Sequence, residues 1–196
     1  KKSVHTSATY RTQGHNSTSF GWSHFYIALR VFPRKPYPTM KIIDQIHAEV
    51  LQKAIGRARE RGVVLPTFAQ QKDPSKIPAK IVARLKNLGL WDVDPANLFR
   101  ITWHNEPKAK GGGFNGGNWL EFPSALTGLS ARVVGIAGKW FPTGAHKVGA
   151  AYGCLVPRLV SGNFDPTAQK AVWPSTGNYC RGGAYDCALL GCPAVA

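Results

Sequence analysis

From residue 131 to residue 196, short apolar runs alternate with glycine-bearing turns and helical stretches. Ala131-Arg132-Val133-Val134-Gly135-Ile136-Ala137 has the length and β-branched content of a strand, and Lys147 to Leu159 has the texture of a helix. The order then recurs: Lys170-Ala171-Val172-Trp173 predicts a strand, Asn178 to Leu190 a helix rich in small residues, and Pro193-Ala194-Val195-Ala196 the opening of a further strand. Strand, turn, helix, strand is the syntax of an α/β fold with a parallel sheet. In such sheets ligands collect where strands end and helices begin, because the first N–H groups of a helix are unpaired and partially positive.

The front of the chain reads differently. Residues 1–37 are polar and turn-rich, with no sustained period, as in an irregular arm. Between Thr39 and Arg61 the residues Ile43, Ile46, Val50, Ala54 and Ala58 recur at three- and four-residue steps, which predicts a helix with a core-facing stripe. Ile81, Val82, Leu85 and Leu88 share a face in a second helix expected over Pro78 to Leu88, with Gly89 as its stop signal. Lys108 to Gly117, rich in glycine, reads as a loop; it lacks the Gly-Lys-Ser/Thr ending of a phosphate-binding loop. The aromatic residues Phe99, Trp103, Phe114, Trp119 and Phe122 are expected to pack a core.

Composition limits the function classes. A hydrophobic content of 43% over 196 residues is enough to bury a core, and no apolar run approaches the length of a membrane span. No membrane association is expected. The cysteines Cys154, Cys180, Cys187 and Cys192 all fall late in the chain, without a C-x-x-C pair, so a zinc site is not expected and no metal is assigned. They read as small buried hydrophobes of a reducing, cytoplasmic compartment, or an organellar matrix if a targeting peptide has been removed.

Residues 1–110 carry 19 basic side chains against 7 acidic, and residues 111–196 carry 6 against 3. Such an excess can serve a nucleic-acid surface. Here the charges run along helical stretches such as Lys53, Arg57, Arg59 and Arg61 without interleaved aromatics, which favours a solvated face.

Two segments carry chemistry. The first is Phe141-Pro142-Thr143-Gly144-Ala145-His146-Lys147, opening the helix at Lys147. An amine must be deprotonated to attack an aldehyde, and the partially positive start of a helix disfavours its ammonium form. An ordinary surface lysine opening a helix would occupy the same position. The second segment is Ser175-Thr176-Gly177-Asn178, entering the next helix. Hydroxyls and backbone N–H groups at a helix start make an anion site, although the same tetrapeptide also serves as a simple turn with a cap. His146 neighbours Lys147 but points elsewhere on a helix, so it reads as a supporting residue; Cys180 reads as core.

Pro142, Thr143, Gly144 and Lys147 match, in register, the lysine motif of the fold-type II pyridoxal-phosphate enzymes, and Ser175 to Asn178 match that family's Asn loop. The chain resembles this tryptophan-synthase-β-like family, in a cysteine-synthase-like or threonine-synthase-like branch, over roughly residues 119–196. Phe141, Ala145, His146 and Val148 depart from the usual wording.

The resemblance implies a parallel-sheet catalytic core preceded by an extension over residues 1–118, with pyridoxal 5'-phosphate as cofactor. It also implies a Schiff base on Lys147, a contact from Asn178 to the cofactor ring oxygen, and a substrate carboxylate held by Ser175, Thr176 and Gly177. The implied activity is that of an amino-acid lyase or synthase working by β- or γ-elimination or replacement. In the family the glycine-rich cup for the cofactor phosphate lies beyond the Asn loop. The expectation is therefore a truncated front part completed by a C-terminal half or another chain, with a homodimer compatible. The alternative is an inactive, enzyme-derived basic subunit of a larger assembly, such as a ribonucleoprotein.

Overall fold

The computed structural model describes residues 45–106, 109 and 111–196. The expected arm over residues 1–37 and the helix start at Thr39 lie outside them, as does Ile43. The fold is a mixed α/β arrangement dominated by helices: α1 Ala48–Glu60, α2 Phe68–Lys72, α3 Ala79–Leu85, α4 Ser124–Thr127, α5 Lys147–Ser161 and α6 Asn178–Leu190. Four short strands accompany them: β1 Trp119–Phe122, β2 Val133–Ile136, β3 Ala171–Val172 and β4 Ala194–Val195.

The main core is built by α5 and α6. In α5 the residues Val148, Ala151, Tyr152, Leu155 and Leu159 are buried, which is one face of a 3.6-residue period. α6 is buried over most of its circumference, from Gly182 through Tyr185, Asp186 and Cys187 to Leu190. Leu98, Ile101, Phe141, Phe164 and Trp173 close the same cluster. That core crosses the expected boundary at 118/119, since Leu98 and Ile101 precede it and α5 follows it. A second cluster joins Ile77, Ile81 and Leu85 to Ala96 and Phe99.

β3 pairs in parallel with β4, Ala171 opposite Ala194 and Val172 opposite Val195, and α6 forms the crossover. This is the expected strand, helix, strand unit with strands of two residues each. The expected strand over 131–137 is present as β2, but it does not join a parallel sheet. It pairs antiparallel with β1, Trp119 opposite Ile136 and Phe122 opposite Val133, in a separate two-stranded sheet. The sequence between the two strands, which includes the turn at Gly128, is too short for a helical crossover and turns the chain straight back.

Trp119 and Phe122 therefore stand on an exposed hairpin rather than in the core, at 56% and 37% exposure. Phe99 is buried as expected, and Phe114 is partly buried against the second cluster.

The first helix begins later than its periodicity predicts. The backbone N–H of His47 bonds to the carbonyl of Ser161 at 2.8 Å, which ties that peptide to the end of α5 and starts α1 at Ala48. Ile46 is exposed, and Val50, Ala54 and Ala58 are only half-buried, so the expected core stripe is a shallow contact face. Several basic side chains of α1 and its C-cap reach back to bond the rest of the fold at the surface. Arg57 Nε donates to the carbonyl of Gly191 at 3.1 Å, Arg61 to that of Ala188 at 3.0 Å, and Lys53 pairs with Asp165 at 2.9 Å. Two guanidinium groups thus meet carbonyls at the C-terminus of α6, where the helix dipole favours positive charge.

The second predicted helix is present as α3. Its apolar face is as expected, and it ends at Leu85, with tight turns carrying the chain to Leu88. Among the described residues of the glycine-rich segment, Gly111 to Gly117 form the expected loop. The loop is pinned by Arg100, only 1% exposed, whose Nη2 donates to the carbonyls of Leu85 at 2.6 Å and Gly112 at 3.2 Å.

Candidate functional site

Lys147 is the first residue of α5 and Asn178 the first of α6. The segment before Lys147 is a succession of tight turns, Gly138–Trp140 and Pro142–Gly144. Phe141 anchors it, 3% exposed and edge-on to Trp103 with ring centroids 4.8 Å apart. His146 stacks on the Trp103 ring, with centroids 5.7 Å apart.

Thr143 is the outlier of the segment. It is 1% exposed, has φ 64° and ψ 5°, and its Oγ1 has no protein partner. A β-branched residue in the left-handed region is strained by about 1–3 kcal/mol, and such strain tends to gather at functional sites.

The second segment follows β3. Trp173 is buried and its indole N–H donates to the Cys187 sulfur at 3.4 Å, which fixes the exit of the strand against α6. The chain then turns: the N–H of Ser175 bonds to the Trp173 carbonyl at 2.8 Å, and that of Gly177 to Ser175 Oγ at 3.3 Å. Thr176, Gly177 and Asn178 are exposed and Ser175 is half-buried. Nothing lies within 4 Å of where a Cβ on Gly177 would sit, so the loop opens onto free space. Asn178 Oδ1 accepts a hydrogen bond from Arg181 Nη2.

What joins the two segments is the glycine pair of α6. A Cβ on Gly182 would lie 2.7 Å from Val148 Cα and 3.1 Å from the carbonyl carbon of Lys147, so the helices meet backbone to backbone at the start of α5. Gly183 faces the other way, against the Trp173 ring, where a Cβ would overlap the indole. Gly182 is one helical turn beyond Asn178, which sets the first turns of the two helices beside each other. A second link runs over the surface. The ring of Trp91 lies beneath the Arg181 guanidinium, 5.4 Å from ring centroid to Cζ, and 3.9 Å from where a Cβ on Gly144 would sit. The Lys147 and Asn178 side chains are both exposed.

Trp91 and Arg181 carry no sign of this in the sequence taken alone. The only available signal for Arg181 was a basic residue in the opening turn of a helix, where the dipole disfavours it.

Two buried groups lie behind the site. Tyr185 donates to the Asp92 carbonyl at 2.6 Å and accepts from Asn97 Nδ2 at 3.0 Å, and burial pushes its phenol up to about 12. Asp186 is fully buried with neither oxygen hydrogen-bonded, and desolvation drives its carboxyl far above the usual range. The cysteines divide: Cys187 and Cys192 are buried, Cys180 is half-buried against the core, and Cys154, expected to be buried, is exposed. A groove of about 840 Å³ lies between α2, α3 and the Gly113–Asn115 loop, and contains neither segment.

Among the described residues, no helix is long and apolar enough to cross a membrane. No family model, no curated protein and no solved structure matches the chain.

Proposed function

We propose that this chain carries the lysine and Asn-loop segments of a fold-type II pyridoxal-phosphate-dependent amino-acid lyase or synthase, with Lys147 as the residue that binds the cofactor aldehyde. The observation that supports this most is the backbone contact of Gly182 with Lys147 and Val148, which sets the lysine-bearing helix start beside the helix start that carries Asn178.

The residues present fit such a group by their chemistry. They offer an exposed primary amine, an exposed amide, the hydroxyls of Ser175 and Thr176, and a glycine with open space above it. The buried, unpartnered hydroxyl of Thr143 and its left-handed backbone, four residues before Lys147, are further features that folding alone does not call for.

Bound pyridoxal phosphate supplies an electron sink for carbanion chemistry at the amino acid's α-carbon. Lys147 Nζ would hold the cofactor aldehyde, and its amine would serve as the base for the substrate α-proton. The hydroxyls of Ser175 and Thr176 would hold the substrate carboxylate at the start of α6, with Gly177 leaving open space for it. Asn178 would offer its Nδ2 to the ring oxygen, because its Oδ1 is taken by Arg181, which orients the amide. The reaction class these groups would serve is elimination or replacement at the β or γ carbon of the amino acid.

The alternative of an inactive, basic scaffold in a ribonucleoprotein has less support. The Arg57 and Arg61 guanidinium groups that would serve it are bonded to α6 carbonyls.

Mixing the purified chain with pyridoxal phosphate tests the proposal. A yellow chromophore that follows protein concentration and is absent from Lys147→Ala is the expected result. Equal colour in wild type and Lys147→Ala would contradict it.

A further inference from the structure

We infer that the groove between α2, α3 and the Gly113–Asn115 loop is a second ligand site that takes a mononucleotide, its phosphate held by Lys72, Lys86 and His104 and its planar base packed on Phe114. The groove contains neither the Lys147 nor the Ser175–Asn178 segment, so the inference stands apart from the cofactor proposal.

α3 makes one wall because it has two faces. Ile81 and Leu85 are buried in the second core cluster, while Ala79, Val82, Ala83 and Lys86 line the groove. Lys72, at the end of α2, and the buried Ile77 continue the lining, and His104 and Phe114, both half-buried, supply its loop side. The backbone at His104 is fixed by Asn105, whose Nδ2 donates to the carbonyls of Arg100 and Thr102. A volume of about 840 Å³ is that of a small-molecule site.

The charge of the lining is unbalanced. Lys72 and Lys86 are exposed and, among the described residues, form no ion pair. Asp73, the carboxylate on the described lining, is already occupied. Its Oδ1 accepts from the Ser75 amide and hydroxyl at 3.2 and 2.6 Å, and its Oδ2 lies 3.4 Å from Lys76 Nζ. Glu106 keeps its carboxylate on Asn115 Nδ2 at 3.2 Å.

A further cation sits behind the lining. Arg100 is 1% exposed, and its Nη2 bonds the carbonyls of Leu85 and Gly112, whose chain neighbours Lys86 and Gly113 line the groove. Its buried Nη1 has no protein partner, and among the described residues it forms no ion pair. A guanidinium stays charged when buried, and a low-dielectric wall carries its field into the groove.

Unpaired cations beside an apolar, aromatic surface match a ligand that is anionic at one end and planar at the other, which a nucleotide is. A polynucleotide needs a longer track of free cations, whereas Arg57 and Arg61 are bonded to α6 carbonyls.

Calorimetric titration of the full chain with adenosine monophosphate, adenosine and inorganic phosphate tests this. The monophosphate is expected to bind about tenfold or more tighter than either of its parts. The Lys72→Gln/Lys86→Gln double variant brings it to the level of adenosine. Ala83→Glu, which sets a carboxylate into the groove from an exposed helical position, weakens it about tenfold or more, and the neutral Ala83→Gln keeps the preference over adenosine. Circular dichroism melting of each variant controls for folding. A monophosphate that binds no tighter than adenosine or phosphate, or equally well to the double variant, overturns the inference. So does an oligouridylate that displaces it at far lower concentration than the monophosphate itself requires.

Discussion

The Cα of Gly182 faces the backbone of Val148 so closely that an added methyl group would lie 2.7 Å from Val148 Cα. The obstacle is backbone, which cannot rotate away as a side chain can. Gly182→Ala therefore forces α5 and α6 apart and is expected to destabilise the fold by about 1–3 kcal/mol, as overpacking in a dense core does. A lower urea midpoint with an unchanged slope checks it. The same variant displaces Lys147 and is expected to weaken cofactor colour.

Thr143 predicts the opposite sign. Its φ of 64° is natural for glycine and costly for a β-branched residue, and its buried hydroxyl has no protein partner. Thr143→Gly is expected to stabilise the protein by about 1 kcal/mol, read as a higher thermal midpoint. On the proposed function the strained residue serves the cofactor site, so the same variant is expected to bind pyridoxal phosphate less well.

Asp165 sets an acid limit. Its carboxylate accepts from Lys53 at 2.9 Å and from the Thr167 amide and hydroxyl at 2.8 and 2.5 Å. These bonds, that from Lys53 first, depress it to about 2. A depressed carboxyl stabilises the fold above its unfolded value of about 4, and that contribution is lost as pH falls through about 2. The stability difference between wild type and Asp165→Asn is expected to be constant above pH ~5 and to shrink toward pH ~2. Urea midpoints across that range measure it.

Asp186 works the other way. Desolvation raises its carboxyl well above the ordinary value, so it is neutral and costs little at low pH. As pH rises past the unfolded value of about 4 the unfolded chain releases that proton while the folded one retains it, and stability falls. Asp186→Asn is expected to raise stability at pH ~8 by about 1–3 kcal/mol and to have little effect at pH ~4. Thermal midpoints at the two pH values check it.

Much of the local structure is legible in the sequence because it is local. The start of α5 at Lys147 and both bounds of α6 follow from apolar spacing and turn residues, and β3 and β4 follow from short apolar runs at the turns. β2 is legible as a strand, but its partner is not, since pairing with β1 depends on contacts that no period records. The apolar spacing around Ile46 predicts a longer helix than α1, because the His47 bond to Ser161 comes from elsewhere in the chain.

At the site, the sequence marks Lys147 and Ser175 to Asn178. It leaves unmarked the left-handed Thr143 and the Trp91–Arg181 stack, which arise only when separate segments meet. Gly182 and Gly183 read there as small residues in a helix, whereas in the fold one admits a helix backbone and the other an indole.

The most direct measurement is the chemical identity of the residue that captures pyridoxal phosphate. After incubation with cofactor, borohydride reduction and proteolysis, mass spectrometry is expected to find one stoichiometric pyridoxyl adduct, on Lys147, and none in Lys147→Ala. Label scattered in trace amounts over the many exposed lysines, with Lys147 no more modified than Lys139 or Lys170, would contradict the account.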